Sequence, residues 1–229
     1  MKEIKVTLKG RYDAQPVYEI ADHTLPNFIA LLESHQDVDS WERLPREIAL
    51  AGLHARAIEL IGPDVRTIAD LGCGQGHLTM HLRGTYDVAP FDINTDQYKL
   101  RWPHVRRLDL NRDHIPTEEL DCILCLEVIE HLENPYKLVR DCHAALRDGG
   151  ELIISTPNLH SFKSRLLYLF TGRFNAFQDM DLYRSGHINP IQFWELQHIL
   201  ETCGFDIDTV DCRMYRELVI VVKATKRSG

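Results

Sequence analysis

Residues Val65–His77 read VRTIADLGCGQGH, a short apolar run that breaks into a glycine-rich turn. A run of this length suits a buried parallel strand. Gly72, Gly74 and Gly76 let the backbone turn sharply and let a ligand approach with no Cβ in the way. Outward from this point the rhythm is strand, helix, strand. HLTMHL begins a helix, YDVAPFDI and HVRRLDL read as the second and third strands, and DCILCLEV reads as the fourth. A helix over about Pro135–Leu146 stops at Asp148-Gly149-Gly150, and ELIIST is the fifth strand. A helix over about Pro190–Cys203 then leads to FDIDTVDC and ELVIVVKA, two closing strands. The alternation predicts an α/β fold, a doubly wound sheet with a mainly parallel core.

Composition sets the outer bounds. The chain has 229 residues, 44% hydrophobic and 26% charged, which is ordinary for a globular protein and excludes a largely disordered one. Charges interrupt every apolar run, so no membrane-spanning helix is expected. The first residues, MKEIKVTLKGRYD, show no secretory signal, and a cytoplasmic location is the expectation. With 26 Lys and Arg against 34 Asp and Glu, the net charge is −8, which disfavours non-specific binding to nucleic acid or anionic lipid unless a local basic patch overrides it. The cysteines read as reduced thiols. Cys122 and Cys125 form a CxxC, but on a strand they point to opposite faces, which argues against a redox or zinc pair.

Residues 1–62 carry no chemistry-bearing motif and read as an N-terminal helical extension. Its clearest element is an amphipathic helix over roughly Leu44–Ile61, ended by Gly62-Pro63. Residues 63–229 make the one α/β domain, to which residues 1–62 are the extension.

In an open α/β sheet, ligands bind beyond the carboxyl ends of the strands. The dinucleotide fingerprint GxGxxG would need a glycine where His77 stands. The spacing here is GxGxG, with Asp70 just ahead. A pyrophosphate needs no such carboxylate, whereas a ligand carrying an ammonium group can use one, so a dinucleotide is disfavoured. Asp92 ends the second strand, where a carboxylate can accept hydrogen bonds from both hydroxyls of a ribose. Asp109 ends the third strand in LDLN and could accept from the exocyclic amine of a purine.

Directly after the fourth strand stands EVIEH. If a helical turn begins there, Glu127, Glu130 and His131 share one face. Two carboxylates and an imidazole could ligate a divalent cation such as Mg²⁺ or Mn²⁺. His131 could instead be a general base that removes a hydroxyl proton. Local hydrogen bonding at a helix start is the third reading.

Taken together, DLGCGQG, FDIN, LDLN, DCILCLEVIEHL and RDGGELIISTPN resemble the class I S-adenosylmethionine-dependent methyltransferases. The resemblance is close over Val65–Pro157 and topological beyond. It implies a Rossmann-like sheet of seven strands in the order 3-2-1-4-5-7-6, the last antiparallel. It also implies S-adenosylmethionine as cofactor. Gly72, Cys73, Gly74 and Gly76 would line the methionine part, with Asp70 near its amino group. Asp92 and Ile93 would hold the ribose side, Asp109 and Leu110 would frame the adenine, and Leu126 or Glu127 would lie under the sulfonium. Arg46 would reach the cofactor carboxylate, as an N-terminal arginine does in some relatives. EVIEH is similar to a motif of two subfamilies, the ubiquinone-biosynthesis O-methyltransferases and the small-RNA 2′-O-methyltransferases. In the second, ExxEH and a later histidine hold a metal, a set that here would be Glu127, Glu130, His131 and His187. His131 and His187 are the candidate catalytic residues.

Residues 157–190 follow the fifth strand, where this family builds its acceptor pocket. Phe162, Leu166, Leu167, Leu169 and Phe170, with Lys163, Arg165 and Arg173 alongside, make a basic amphipathic stretch. It could be a lid, a lipid-facing surface or core packing. Its shortness favours core packing. TGRFNAF and SGHINP look similar to methyltransferases of surface-polysaccharide pathways. The expected acceptor is therefore a hydroxylated small molecule or sugar conjugate, methylated on oxygen. A metal-dependent RNA 2′-O-methyltransferase and a non-catalytic cofactor-binding module remain as alternatives. The acidic balance and the lack of an RNA-binding extension oppose the RNA reading.

Overall fold

The computed structural model describes residues 44–179, 181–211 and 218–228. Expectations for residues 1–43, for Cys212 and for the Arg46 side chain lie outside the described residues. The chain divides after Glu59 into two units. Helix α1 (Leu44–Glu59) belongs to the first, and its Leu53 and Ala57, one turn apart, are buried.

The second unit, from Leu60 onward, is built on one seven-stranded sheet. Its strands are β1 (Thr67–Leu71), β2 (Asp87–Asp92), β3 (Arg106–Arg107), β4 (Leu120–Cys125), β5 (Leu146–Pro157), β6 (Phe205–Asp211) and β7 (Val219–Lys226). Their order is β3-β2-β1-β4-β5-β7-β6. β1 through β5 pair in parallel, and β7 runs antiparallel to both β5 and β6. The expected order and direction are both found. The helices are α2 (His77–Leu82), α3 (Pro135–Ala145), α4 (Phe162–Thr171) and α5 (Phe193–Thr202).

The central strands are apolar on both faces because helices cover both sides of a parallel sheet. Ile68, Ala69, Cys122, Ile123, Leu124, Leu152 and Ile153 are fully buried. Cys122 and Cys125 are buried free thiols, consistent with a strand rather than a redox pair. α3 starts where Asn134 accepts a hydrogen bond from the Lys137 N–H at 3.0 Å, with Pro135 at the first helical position. Polar groups tie the strand ends. The Asp121 carboxylate accepts from the backbone N–H groups of Arg66 and Thr67, from the Thr67 hydroxyl and from Arg147 at 2.6 Å. These bonds hold its pKa well below the ordinary value, against the opposing effect of burial.

Three expectations need correction. The third strand is only Arg106–Arg107, so Asp109 stands beyond its end rather than at it. β5 begins at Leu146, before the glycine pair: Leu146 pairs with Leu120, and the register then shifts before Glu151 meets Cys122. The Phe162–Phe170 stretch is helical, but it does not pack into the core: Leu169 is 73% and Phe170 80% exposed.

Candidate active site

The glycine loop lies at the carboxyl end of β1. Gly72 and Cys73 donate from their backbone N–H groups to the Phe91 carbonyl, at 2.8 and 3.0 Å, which folds the loop over the end of β2. Gly72 has φ +70°, and a Cβ there would stand 2.4 Å from Val128 Cγ2, so glycine is required both by the turn and by the close approach of the segment after β4. Gly74, at φ +55°, faces open space: a Cβ there would meet nothing within 4 Å. One glycine seals the loop against the protein, and the other leaves it open.

Two carboxylates converge on this loop. Asp92, buried, accepts from the Gly74 N–H at 2.8 Å and from the Asn94 N–H at 2.7 Å. It thus braces the loop itself, and ribose hydroxyls would share its remaining lone pairs. Asp70 is buried and accepts from the Thr79 hydroxyl at 2.6 Å. Burial pushes its carboxyl up to about 6; the Thr79 hydrogen bond opposes the rise, and the Asp92 charge adds to it. An incoming ammonium group would relieve both effects. Burial likewise raises the Cys73 thiol well above its usual range, so it is no nucleophile at neutral pH.

Around the residues expected to frame the adenine the arrangement is looser. Ile93 is exposed next to Asp92, and Leu110 is buried. Asp109 accepts from the Asn111 N–H at 3.1 Å and lies 3.5 Å from Arg112, so its local turn already uses part of its capacity.

The EVIEH segment departs from the single helical turn expected. Glu127 itself has φ +55°, and a short 3₁₀ turn begins only at Ile129. Ser155 of β5 stabilises that backbone. The Glu127 N–H donates to Ser155 Oγ at 2.9 Å, and the Ser155 hydroxyl donates back to Glu127 Oε1 at 2.9 Å. Glu127 is therefore held toward β5.

Glu130 points inward and is fully buried. Its Oε2 lies 3.5 Å from the Thr156 hydroxyl, and Oε1 has no hydrogen-bond partner among the described residues. Burial, reinforced by the Glu127 charge, raises its pKa well above the ordinary value. The Glu130 carbonyl accepts from the N–H groups of Ile188 and Asn189, at 3.0 and 2.9 Å. Those two bonds bring SGHINP back onto the turn.

His187 consequently meets His131, ring centroids 4.6 Å apart and nearly perpendicular. Ligand atoms of Glu130, His131 and His187 all lie within 4.8 Å of one another. His131 Nδ1 is 3.2 Å from the Gly186 carbonyl, and His187 Nδ1 is 2.7 Å from the Ala176 carbonyl. A carbonyl only accepts, so each Nδ1 carries the proton, and each ring's lone pair is on Nε2. Lone pairs from two imidazoles and an under-bonded buried carboxylate suit a divalent cation. Of the four residues expected to ligate, the structure gathers these three.

Sequence reasoning missed Ser155 and Thr156 as the residues that fix Glu127 and Glu130. Their position in STPN, across the sheet from EVIEH on the neighbouring strand, was the available signal.

A family model described as a methyltransferase domain matches residues 27–210. A ubiquinone biosynthesis O-methyltransferase of Psychrobacter arcticus is 32% identical over 119 residues, covering 46% of this chain and 46% of that protein. A tRNA U34 carboxymethyltransferase of Geobacter sp. is 27% identical over 185 residues, 75% of this chain and 51% of that one. The chain spans about half the length of the curated relatives it matches. Among solved structures, an S-adenosylmethionine-dependent methyltransferase of Archaeoglobus fulgidus superposes with TM-score 0.58 at 19% identity, over 76% of this chain and 93% of that one. The sheet order, the glycine loop with its acidic partners and the family match agree: this chain belongs to the class I S-adenosylmethionine-dependent methyltransferases.

Proposed function

We propose that this protein methylates an oxygen of a hydroxylated small molecule or sugar conjugate. The observation that carries the reading is the Glu130–His131–His187 cluster. Glu130 and His131 follow β4 directly, in the segment whose Val128 limits the glycine loop at Gly72, and SGHINP brings His187 back to them.

When bound, S-adenosylmethionine supplies a methyl group already activated on sulfur. The chain's own residues then align and protect. Gly74 leaves room at the loop, Asp70 receives the ammonium, and Asp92 holds the loop and accepts from the ribose. Alignment of the acceptor oxygen with the methyl group and exclusion of water supply most of the remaining acceleration. Nε2 of His131 or His187 can take the proton of an aliphatic hydroxyl, which is too weak an acid to lose it unaided. Glu130, His131 and His187 also fit Mg²⁺ or Mn²⁺, which when bound would acidify a coordinated hydroxyl. The same cluster would serve an RNA 2′-hydroxyl; the net charge of −8 weighs against that acceptor.

The test is release of S-adenosylhomocysteine against pooled hydroxylated metabolites, with and without EDTA. Turnover that falls at least about tenfold in both His131→Ala and His187→Ala is expected, as for loss of a positioned base or ligand. Full turnover in both variants would remove the cluster from the reaction.

A further inference from the structure

Helix α4 carries its apolar face outward. At about 100° per residue, Leu169, Phe162, Leu166 and Phe170 fall in one continuous arc, and they are 73, 62, 40 and 80% exposed. Arg165 borders that arc on one side and Lys163 on the other. The opposite face meets the domain through Ser164, which is fully buried and accepts from the Asn175 N–H at 3.1 Å. Tyr168 stacks on Phe174 with ring centroids 4.4 Å apart, which braces the following turn against the helix. An ordinary surface helix turns its apolar stripe to the core. Isolated exposed apolar residues are normal, but four in one stripe mark a binding surface.

Charge identifies what binds there. The whole chain carries −8, yet residues 157–178 contain no Asp or Glu and include Lys163, Arg165 and Arg173. Arg173 is ion-paired with Asp179, just beyond this stretch. A stripe of Phe and Leu with cations on both flanks fits the boundary of a lipid bilayer. Apolar side chains enter the acyl region, while the Lys and Arg stems reach sideways to headgroup phosphates. A second copy of this chain on the same stripe would set these cations against one another. We propose that α4 docks this protein peripherally on an anionic bilayer, the helix lying in the plane of the interface. Beyond α4 the chain passes through Ala176, whose carbonyl holds His187, so docking would keep the acceptor end of the site beside the lipid surface. The docking does not depend on the acceptor proposed above.

The experiment is flotation of the full chain with vesicles of phosphatidylcholine alone and with phosphatidylglycerol added. The chain should float with the anionic vesicles only and be released by salt. Removing one cation, in Lys163→Gln, should weaken partitioning about fivefold, as for one basic residue at an anionic surface. Leu169→Glu with Phe170→Glu should abolish it. These positions are exposed, so the melting temperature and cofactor affinity of the double variant should match the wild type and thereby exclude misfolding. Failure of the wild type to float, or equal flotation of the double variant, would overturn the proposal. So would self-association that the double variant abolishes without any vesicle binding, because the stripe would then belong to a second copy.

Discussion

Asp70→Asn separates what a buried carboxylate costs the fold from what it gives the ligand. In the ligand-free protein, burial raises the Asp70 carboxyl from 3.8 to about 6, against the Thr79 hydrogen bond and with help from Asp92. An acid whose pKa is higher folded than unfolded binds its proton more tightly in the native state. Stability is therefore lost as pH rises between the two values and is level above about 6. A rise of about two units corresponds to at most about 3 kcal/mol of lost stability at neutral pH, at about 1.36 kcal/mol per unit. Asparagine removes the charge and keeps an acceptor for the Thr79 hydroxyl. Urea unfolding should show the variant gaining on the wild type by about 2 kcal/mol between about pH 4.5 and about pH 8. Calorimetry should show the opposite for S-adenosylmethionine, with binding weakened by about 1–3 kcal/mol through loss of a charged hydrogen-bond partner. Wild-type affinity should also fall below about pH 6, where the carboxyl takes up its proton, and Asp70→Asn should flatten that dependence. A stability difference that does not change with pH would refute the reasoning, because a buried charge could not then be its source.

Other perturbations test separate parts of the account. Asp121→Asn weakens or removes four accepted hydrogen bonds, including the one from Arg147, and should cost about 2–3 kcal/mol in urea unfolding at neutral pH. Because the folded Asp121 pKa is depressed, its contribution should be present above the unfolded value and vanish as pH falls through the folded one. Gly72→Ala forces both a positive φ and a Cβ 2.4 Å from Val128 Cγ2, and should lose cofactor binding in calorimetry. Adding Val128→Ala should recover part of that loss by removing the contact, but not the part due to φ. Mn²⁺ should raise the melting temperature of the wild type and leave that of His187→Ala unchanged; equal shifts in both would place the ion elsewhere.

What the sequence makes legible is what local chemistry decides. β1 and β4 announce themselves by apolar runs too dense for a half-exposed strand, and simple counting puts Asp70 next to the end of β1 and Asp92 at the end of β2. The strand order follows from the resemblance, since spacing alone does not order strands. What stays hidden depends on distant partners. The left-handed backbone at Glu127 is held by Ser155 of β5. The meeting of His187 with His131 depends on two backbone bonds from Ile188 and Asn189 to the Glu130 carbonyl. The early start of β5 rests on Leu146 pairing with Leu120 across a register shift. Helix α4 shows a further limit: periodicity reveals that a helix has two faces, but only packing decides which of them meets the core. Its small Ser164 side took that place, and the apolar side was left in solvent.

Calorimetric titration of the full chain with S-adenosylhomocysteine, repeated with Asp92→Ala, tests the central claim most directly. The wild type should bind saturably at one site per chain. The variant should bind about 1–3 kcal/mol more weakly, since Asp92 braces Gly74 and is the residue proposed to accept from the ribose. A wild type that gives no binding heat and no thermal shift would contradict the account, whatever its fold.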